Sequence, residues 1–515
     1  MKNSVKKALG LLLGLTLAIS AVGYSAPATH VTLRVEVFDR GVQGQPDLNN
    51  NAWTRYINDT FGKKNNVTVE FVPVFRSQEI DKLNILMAAG EAPDICFTYD
   101  LPTITKYVKN DGVYQVDDLL SKYGRNLTKY LGKDVLVWGK YNGKQMAIPA
   151  KRTVLADTGV FIRQDWLDKL GMKAPTTTKE LYNTLVAFRD KNPGGVSTVI
   201  PWGMGGQGWS ENYGNLFESF WQKESDKDFV TNQVTYAGWL KPGNKEAVRF
   251  LNKCYHEKLI SPDFALDKTG KQLDADASNG KVGFFCLNWD YAWRPSIGIA
   301  QNLAQKDRKA VFVPIDTFKN YEGKYKKKVY AANGIYCIIP KSSKNALLAI
   351  KYLNWMSDPK VIFYLQNGVE GVNHKIVNGL PQPIPQTGDK MMPSTHNLDY
   401  TPIVNGTELG DPVENMKAVA STYSGYESLV EKALKVFMKD GYQPYFYDTP
   451  NVANGKYGKV LGDKTNDMMT RLIYCKPAEF DKLYDSLVEE FMAAGGQAIV
   501  DENIKIYDAM HARKK

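Results

Sequence analysis

Three aromatic residues, Trp289, Tyr291 and Trp293, alternate along the segment "NWDYAW", directly after an apolar run that is typical of a strand. In an extended loop, alternating side chains face the same side, so these rings would form one flat apolar surface. Sugars present apolar C–H faces and a rim of hydroxyl groups, which aromatic rings and a carboxylate such as Asp290 match. The pattern predicts a carbohydrate-binding surface, and the alternative is that the rings only pack within the protein.

A second ring-rich segment, "PWGMGGQGWSENYGNLFESFW", places Trp202 and Trp209 among closely spaced glycines. Glycine lets the backbone approach a ligand closely, and both indoles could stack on a sugar. A phosphate-binding loop is excluded, because the segment lacks the Gly-Lys-Ser/Thr ending that such loops use. The segment is therefore either part of a ligand site or an ordinary folded loop.

Polar residues also follow the predicted strands. Asp39 and Arg40 come directly after "VTLRVEVF", and Tyr99 and Asp100 come directly after "PDICFT". In open α/β sheets, ligands bind beyond the carboxyl ends of the strands, which makes all four residues candidate ligand contacts. For Asp39 and Arg40, an equally good explanation is that they hold their own loop in place.

Four further polar residues are candidates for the same site: Arg152 in "IPAKRT", Asn333 in "AANG", and Glu370 and Asn373 in "GVEGVNH". Arg152 falls where we expect the chain to cross between two domains. A guanidinium at that place would bind either an acidic sugar or a carboxylate of the other domain.

Side chains that commonly perform catalysis or bind metals form no recognisable pattern. The five histidines include no pair at i, i+4 spacing, HExxH and G-x-S-x-G motifs are absent, and the five cysteines include no CxxC. We therefore expect no metal site, no cofactor and no enzymatic activity. A secreted glycoside hydrolase is the enzyme alternative, since it needs only two carboxylates about 5–9.5 Å apart, and a sequence does not show that distance.

The elements that must position these residues follow from composition and periodicity. A chain of 515 residues is long enough for two or three domains, and its net charge of +10 is scattered, which argues against nucleic-acid binding. The run "HVTLRVEVFDR" has the two-residue period of a strand, and "SQEIDKLNILMAAG" is typical of a helix that ends at Gly90. Such strands and helices alternate, so we predict an α/β fold whose parallel sheets are covered by helices.

Residues 1–25 have the composition of a secretory signal peptide: the basic residues Lys2, Lys6 and Lys7, then the apolar run "ALGLLLGLTLAISAV", then small residues. Tyr24 occupies the position where a bacterial lipoprotein carries its lipid-modified cysteine. We therefore expect an exported protein that is free in the periplasm or in the extracellular medium.

Three motifs occur in order along the chain: "LNILMAAGEAPDICFTYD", "TGVFIRQDWLDKLGMKAPTTTKELYNTLVAFRDKNP" and "GKVGFFCLNWDYAW". Together they resemble the extracellular solute-binding proteins of carbohydrate ABC importers. With "VEVFDRGVQG" and the chain length, they are similar in particular to the LplA-like subgroup and to alginate-oligosaccharide binders. The resemblance implies a two-lobed periplasmic-binding-protein fold (type II), with a helix-rich second lobe and a ligand cleft between the lobes.

The resemblance also implies two or three chain crossings and a hinge motion that closes the cleft. We expect an N-terminal lobe of residues 30–152 and 315–370 and a C-terminal lobe of residues 153–314 and 371–515. The expected partners of this monomer are an oligosaccharide and the membrane permease subunits of an ABC importer. The alternative ligand is a non-sugar solute such as a peptide.

The alginate binders that the chain resembles carry a calcium loop after the helix that matches "ELYNTLVAFRDKNP". In this sequence only Asp190 and Asn192 are plausible ligands at that place. Calcium takes 6–8 oxygen ligands, so we expect no calcium at this loop.

Overall fold

Two four-stranded sheets, each between its own hydrophobic cores, organise the chain. The computed structural model describes residues 30–205, 209–392 and 399–512, and only the backbone of residues 209 and 210. The predicted signal peptide, residues 1–25, lies outside these ranges. We call the part of the chain around the first sheet the first lobe and the part around the second sheet the second lobe.

Short strands make up both sheets and several smaller pairs. The strands of the described ranges are β1 (Val31–Asp39), β2 (Val67–Phe75), β3 (Cys96–Thr98), β4 (Lys140–Tyr141), β5 (Lys144–Gln145), β6 (Ile148–Arg152), β7 (Thr158–Arg163), β8 (Ile200–Trp202), β9 (Val282–Asn288), β10 (Phe312–Ile315), β11 (Lys327–Lys328), β12 (Asn333–Ile338), β13 (His374–Val377), β14 (Leu380–Pro383), β15 (Val404–Asn405) and β16 (Gly441–Tyr442).

Helices cover the sheets and form most of the C-terminal part. In the described ranges they are α1 (Ala52–Ile57), α2 (Lys63–Asn65), α3 (Glu79–Ala89), α4 (Leu101–Lys109), α5 (Asp117–Tyr123), α6 (Arg125–Leu136), α7 (Gln164–Leu170), α8 (Thr178–Lys191), α9 (Trp209–Phe217), α10 (Asp226–Thr231), α11 (Asn244–His256), α12 (Lys271–Ser278), α13 (Ile299–Lys306), α14 (Ala346–Met356), α15 (Pro359–Asn367), α16 (Pro412–Ser421), α17 (Glu427–Met438), α18 (Val452–Tyr474), α19 (Phe480–Phe491) and α20 (Gln497–Ala512). None of these helices has the length and apolar character that a membrane-spanning helix needs.

The first lobe contains the sheet β15-β6-β12-β3 and, beside it, the parallel pair β1–β2. Val35 of β1 forms a bridge to Ile95, just before β3. Leu33, Val35 and Val37 are all buried, which confirms the strand that their alternation predicted. Helices α5, α6, α14 and α15 contribute buried side chains to the core on one side of the sheet.

The second lobe contains the sheet β10-β7-β9-β8. Helices α9, α11, α18 and α19 pack in one of its cores, and helices α12, α13 and α17 pack in the other. Helices therefore cover both faces, as the alternating pattern predicted, and the second lobe is rich in helices.

Both sheets are mixed, so the prediction of parallel sheets was wrong. Strand β12 runs antiparallel to β6 and β3, and β7 runs antiparallel to β9 and β10. The physical reason is the route of the chain, because a strand that returns from the other lobe enters its sheet without the crossover helix that parallel neighbours need.

In the described ranges the chain passes between the lobes three times, at residues 153–157, 316–332 and 406–411. Strand β15 pairs with β6, and Tyr400 and Ile403 are buried in the first core. Residues 399–405 therefore pack with the first lobe, not with the C-terminal lobe to which the expected boundary at residue 371 assigned them. That boundary was wrong because β15 completes a sheet whose other strands lie more than fifty residues away in the chain.

Candidate functional site

Two cavities adjoin at residues 445–447 of the second lobe. The first has a volume of ≈ 760 Å³ and lies between α4 with residues 138–141 of the first lobe and residues 445–456 of the second. The second has a volume of ≈ 580 Å³, and its described lining belongs to the second lobe and to Asp157 and Lys328 of the crossing segments. Because residues 445–447 line both, we call the two cavities together the inter-lobe cleft.

An aromatic wall, Tyr445–Tyr447, separates the two cavities. The rings of Tyr445 and Tyr447 meet edge-on with centroids 4.8 Å apart, and the Tyr447 hydroxyl donates to the Val230 carbonyl at 3.0 Å. The ring of Phe446 points to the first lobe and contacts Trp138 with centroids 5.3 Å apart. The wall is therefore held in place from both lobes.

Helix α4 forms the first-lobe side of the first cavity. The carboxylate of Asp100 accepts the Thr103 N–H at 2.8 Å and so caps the helix. Ile104 is buried on one face of α4, and Lys106 and Lys109 are exposed and line the cavity. Asp100, a predicted ligand contact, thus positions the cavity wall from the end of the helix.

The second cavity is lined by three carboxyl groups, those of Asp157, Glu211 and Glu218. Burial raises the pKa of all three, and raises the pKa of Glu218 to about 7. One oxygen of Glu218 accepts the Tyr442 hydroxyl at 2.8 Å, and the other has no hydrogen-bond partner among the described residues. Groups of this kind are suited to hydrogen bonds with hydroxyl groups of a ligand.

A polar cluster lies at the crossings, where Arg152 and Asn333 meet. The Arg152 guanidinium lies 4.3 Å from the centroid of the Tyr330 ring, and its Nε donates to the Asn333 carbonyl at 3.2 Å. The Tyr330 hydroxyl accepts a hydrogen bond from Asn288 at 3.4 Å. Burial lowers the pKa of Arg152, which forms no ion pair within the described ranges. The structure thus brings two predicted site residues together beside the second cavity, which Asp157 and Lys328 of the crossings line.

Asp39 and Arg40 hold the loop that follows β1. Asp39 accepts the Gly41 N–H at 2.8 Å and the Gln45 side-chain amide at 2.7 Å. Arg40 makes a two-bonded ion pair with Asp399 at 2.6 and 2.9 Å. The contacts agree with the alternative explanation, in which these two residues stabilise their loop.

Tyr99 presents an exposed ring at the end of β3. It is 36% exposed, and its hydroxyl accepts a hydrogen bond from the Asn405 side chain at 2.8 Å. The Arg76 guanidinium lies 4.9 Å from the ring centroid. Tyr99 lines neither of the two cavities, but its ring remains accessible at the sheet edge where ligands of open α/β folds bind.

The expected alternation of rings in "NWDYAW" does not occur. Tyr291–Trp293 forms a 3-10 turn instead of an extended loop, so residues two apart do not face the same side. Trp293 is fully buried against Phe161, with centroids 5.3 Å apart, and the Tyr291 hydroxyl donates to Asp274 at 2.7 Å. The prediction that Trp293 lines the cleft was wrong, because the core takes up its whole side chain.

Trp289 and Asp290 pack against helix α16 and the turn that follows it. The half-buried ring of Trp289 meets Tyr423 edge-on at 6.0 Å. Asp290 is buried, accepts the Tyr423 hydroxyl at 2.7 Å and pairs with Arg294 at 3.0 Å. Neither residue lines the two cavities, and the carboxylate of Asp290 is already satisfied by protein groups.

The glycine-rich segment contributes to the core of the second lobe. Trp202 of β8 is fully buried and meets Phe284 edge-on at 5.2 Å, so it was wrongly predicted as a ligand contact. Trp209 begins α9, and its side chain and residues 206–208 lie outside the described part of the chain.

Glu370 and Asn373 lie in a loop of the first lobe that is not part of the cleft. Asn373 accepts the Val369 N–H at 3.0 Å and donates to the Lys390 carbonyl at 2.9 Å, so it holds this loop together. Glu370 is exposed on the same loop. The structure therefore does not bring these two predicted residues to the cavities.

The residues that line the cleft were mostly missed by reasoning from the sequence. The segment "YQPYFYDTP", which contains the aromatic wall, lies between two helical stretches and has an unusual density of rings close to prolines. That density was the available signal, since rings in a loop with prolines have no helical or strand periodicity to explain them.

In the loop after α8, where we expect no calcium, the side-chain oxygens of Asp190 and Asn192 accept hydrogen bonds from the protein. Asp190 accepts a hydrogen bond from Arg189 at 2.7 Å, and the Asn192 side-chain oxygen accepts the Val196 N–H at 3.1 Å. Within the described ranges, three or more His, Cys, Asp or Glu side chains never cluster as metal ligands would. The expectation that this loop binds no calcium stays a prediction.

The chain belongs to the family of bacterial extracellular solute-binding proteins, whose model matches residues 46–362. It is 28% identical over 325 residues to lipoprotein LipO of Bacillus subtilis (strain 168), an alignment that covers 61% of this chain and 62% of LipO, less than two thirds of that relative. It is 22% identical over 450 residues to the polygalacturonan/rhamnogalacturonan-binding protein YtcQ of the same strain, with 82% of each chain covered.

The fold is that of the two-lobed solute-binding proteins. The structure is similar to the crystal structure of alginate-binding protein AlgQ2 without calcium ion, with a TM-score of 0.64 and 17% sequence identity over 94% of this chain and 99% of that chain. This similarity confirms the predicted α/β architecture with two lobes.

Proposed function

We propose that this protein binds an oligosaccharide in the inter-lobe cleft and delivers it to the permease subunits of an ABC importer. The observation that carries the proposal is the aromatic wall Tyr445–Tyr447, which lines both cavities and meets Trp138 of the other lobe. Flat rings stack on the apolar faces of sugars, and a cleft of two joined cavities suits a chain of several sugar rings. The carbohydrate ligands in the names of YtcQ and AlgQ2 support the same class of ligand.

In this proposal the ligand closes the cleft because it contacts both lobes at once. Residues 30–152, 333–392 and 399–405 would move as one lobe, and residues 158–205, 209–315 and 412–512 as the other. Only a ligand that binds the closed state more tightly than the open state can shift the equilibrium between them. Of the predicted site residues, we assign three to ligand binding at the margin of the cleft, although they line neither cavity: Arg152, Asn333 and Tyr99.

Binding and release of the sugar require no bond to be broken, so we propose a transport function without catalysis. Residues 1–25 would direct export, and the monomeric protein would meet the permease outside the cytoplasm. A hydrolase would return a shortened oligosaccharide, whereas a binding protein returns the same oligosaccharide that it took up.

The test is titration of the exported form with a panel of neutral and acidic oligosaccharides and a peptide pool, followed by tryptophan fluorescence and thermal unfolding. At about 100-fold excess over Kd, a ligand stabilises the native state by about 2.7 kcal/mol, which shifts the melting temperature measurably. Saturable binding of a sugar that is recovered intact supports the proposal. A response to peptides alone, or recovery of cleaved sugar, would contradict it.

A further inference from the structure

The charged side chains that line the first cavity of the cleft are positive. Among the described residues, its lining includes no Asp or Glu but four lysines: Lys106 and Lys109 on α4, Lys140 before the hairpin turn, and Lys456 on α18. Within the described ranges none of the four forms an ion pair. By contrast, Lys151 nearby in the first lobe is paired with Glu408 at 2.9 Å. Their charges are therefore not neutralised by a described carboxylate, although Lys456 lies 4.8 Å from the centroid of the Tyr457 ring.

The second cavity has the opposite character. Among its described lining residues are three carboxyl groups, those of Asp157, Glu211 and Glu218, and one lysine, Lys328. Lys326 lies over the rings of Phe229 and Tyr442 in the cavity wall. Burial raises the pKa of all three carboxyl groups and so works against their charged form, which suits hydrogen bonds to uncharged hydroxyl groups of a ligand. The inter-lobe cleft is thus basic at the α4 end and acidic at the crossings.

The four ammonium groups have no carboxylate partner among the described residues that line the cavity, and an uncharged sugar would leave them without one. A ligand with several carboxylates would supply such partners and gain charge-assisted hydrogen bonds. The rings of Trp138 and Tyr445 line the same cavity and supply surfaces for the sugar faces. Cations beside flat rings form a site for sugar rings that carry negative charge.

We infer that the ligand is an acidic oligosaccharide, whose uronic acid rings occupy the first cavity with their carboxylates toward Lys106, Lys109, Lys140 and Lys456. This inference rests on the proposed function and narrows it to one class of sugar. It also gives the ligand a direction, because the lysines that would pair with its carboxylates line the first cavity.

The experiment compares acidic oligosaccharides with their methyl esters, which keep the same rings and linkages but carry no charge. Oligogalacturonates, oligoalginates and their esters are titrated calorimetrically against the protein at about 20 mM and about 200 mM NaCl. We expect at least one acid to bind about tenfold more tightly than its own ester, and its affinity to fall as salt rises. If an ester binds as tightly as its acid, or only neutral sugars bind, the inference is wrong and the proposed function stands. If no oligosaccharide binds, the proposed function itself fails.

Lysine variants test whether the carboxylates of the ligand bind in the first cavity. The double variant Lys106→Gln/Lys140→Gln removes two of the four cations, and Lys129→Gln is the matched control, because Lys129 is exposed on α6 and lines neither cavity. We expect the double variant to lose about tenfold in affinity for the acid and less than about twofold for the ester. An equal loss for acid and ester, or no loss for either, would overturn the assignment of the carboxylates to this cavity.

Discussion

Trp138 of the first lobe and Phe446 of the second lobe meet edge-on, with ring centroids 5.3 Å apart and ring planes at 67°. Beside this pair, the Asn142 N–H donates to the Asp448 carbonyl at 2.7 Å, and the Thr449 hydroxyl donates to the Asn142 side chain at 3.0 Å. The contacts that join the lobes therefore occur in the same segment that lines both cavities. If the proposed function is correct, ligand binding and lobe contact depend on one structural element.

The variant Phe446→Ala removes the ring that joins the lobes. An edge-to-face pair contributes about 0.5–1.5 kcal/mol, so we expect ligand affinity to fall about 2–12-fold, with a change in Trp138 fluorescence. Calorimetric titration measures the affinity. Tyr321→Ala is the control, because this ring is 51% exposed and lines neither cavity. Unchanged affinity in Phe446→Ala would show that the pair does not support the bound state.

Arg152→Gln removes the guanidinium at the crossings. Hydrogen bonds to a charged group contribute about 1.5–3 kcal/mol, so we expect affinity for the sugar to fall about 10–150-fold. Arg125→Gln, on the exposed surface of α6, should leave the affinity unchanged. If Arg152→Gln binds the sugar as well as the unmodified protein does, Arg152 is not a ligand contact.

Glu36 makes stability depend on pH. Burial raises the pKa of Glu36 to about 8 from an ordinary value of 4.5. Between these pH values the folded protein holds a proton that the unfolded chain has lost, so stability falls as pH rises, by at most about 1.4 kcal/mol per pH unit. Glu36→Gln should therefore gain stability relative to the unmodified protein as pH rises from about 5 to about 8 in thermal unfolding. Parallel pH profiles would contradict a neutral Glu36.

Glu218 should show the same effect over a narrower range. Burial raises its pKa to about 7, so the stability difference between Glu218→Gln and the unmodified protein should grow from pH 4.5 and level off above pH 7. Thermal unfolding of both glutamine variants over one pH series separates the two groups. A Glu218→Gln difference that keeps growing well above pH 7 would show that this carboxyl has a different environment.

Trp293→Phe distinguishes a core residue from a ligand contact. The indole is fully buried, so we expect a loss of about 1–3 kcal/mol in stability. Sugar affinity should stay within about twofold of the unmodified protein, because Trp293 lines neither cavity. A large loss of affinity with unchanged stability would show that Trp293 contacts the ligand.

The sequence by itself determined the local elements and the family. The alternation in β1 and the end of α3 at Gly90, whose φ is 71°, depend on residues a few positions apart. Three motifs in order were sufficient for the predicted family, which the match over residues 46–362 confirms. The strand and the helix end could be predicted because each depends on residues that are close together in the sequence.

Only the tertiary structure decided which rings face the cleft. Trp293, Trp202 and Trp138 are the same residue type. Packing against the sheet buries the first two completely, whereas Trp138 lies in the wall of the first cavity. Strand β15 joined the first sheet, and residues 445–447 came to face α4, through contacts between positions hundreds of residues apart. Burial and cavity formation depend on how whole lobes pack, and no local pattern of residue types encodes that packing.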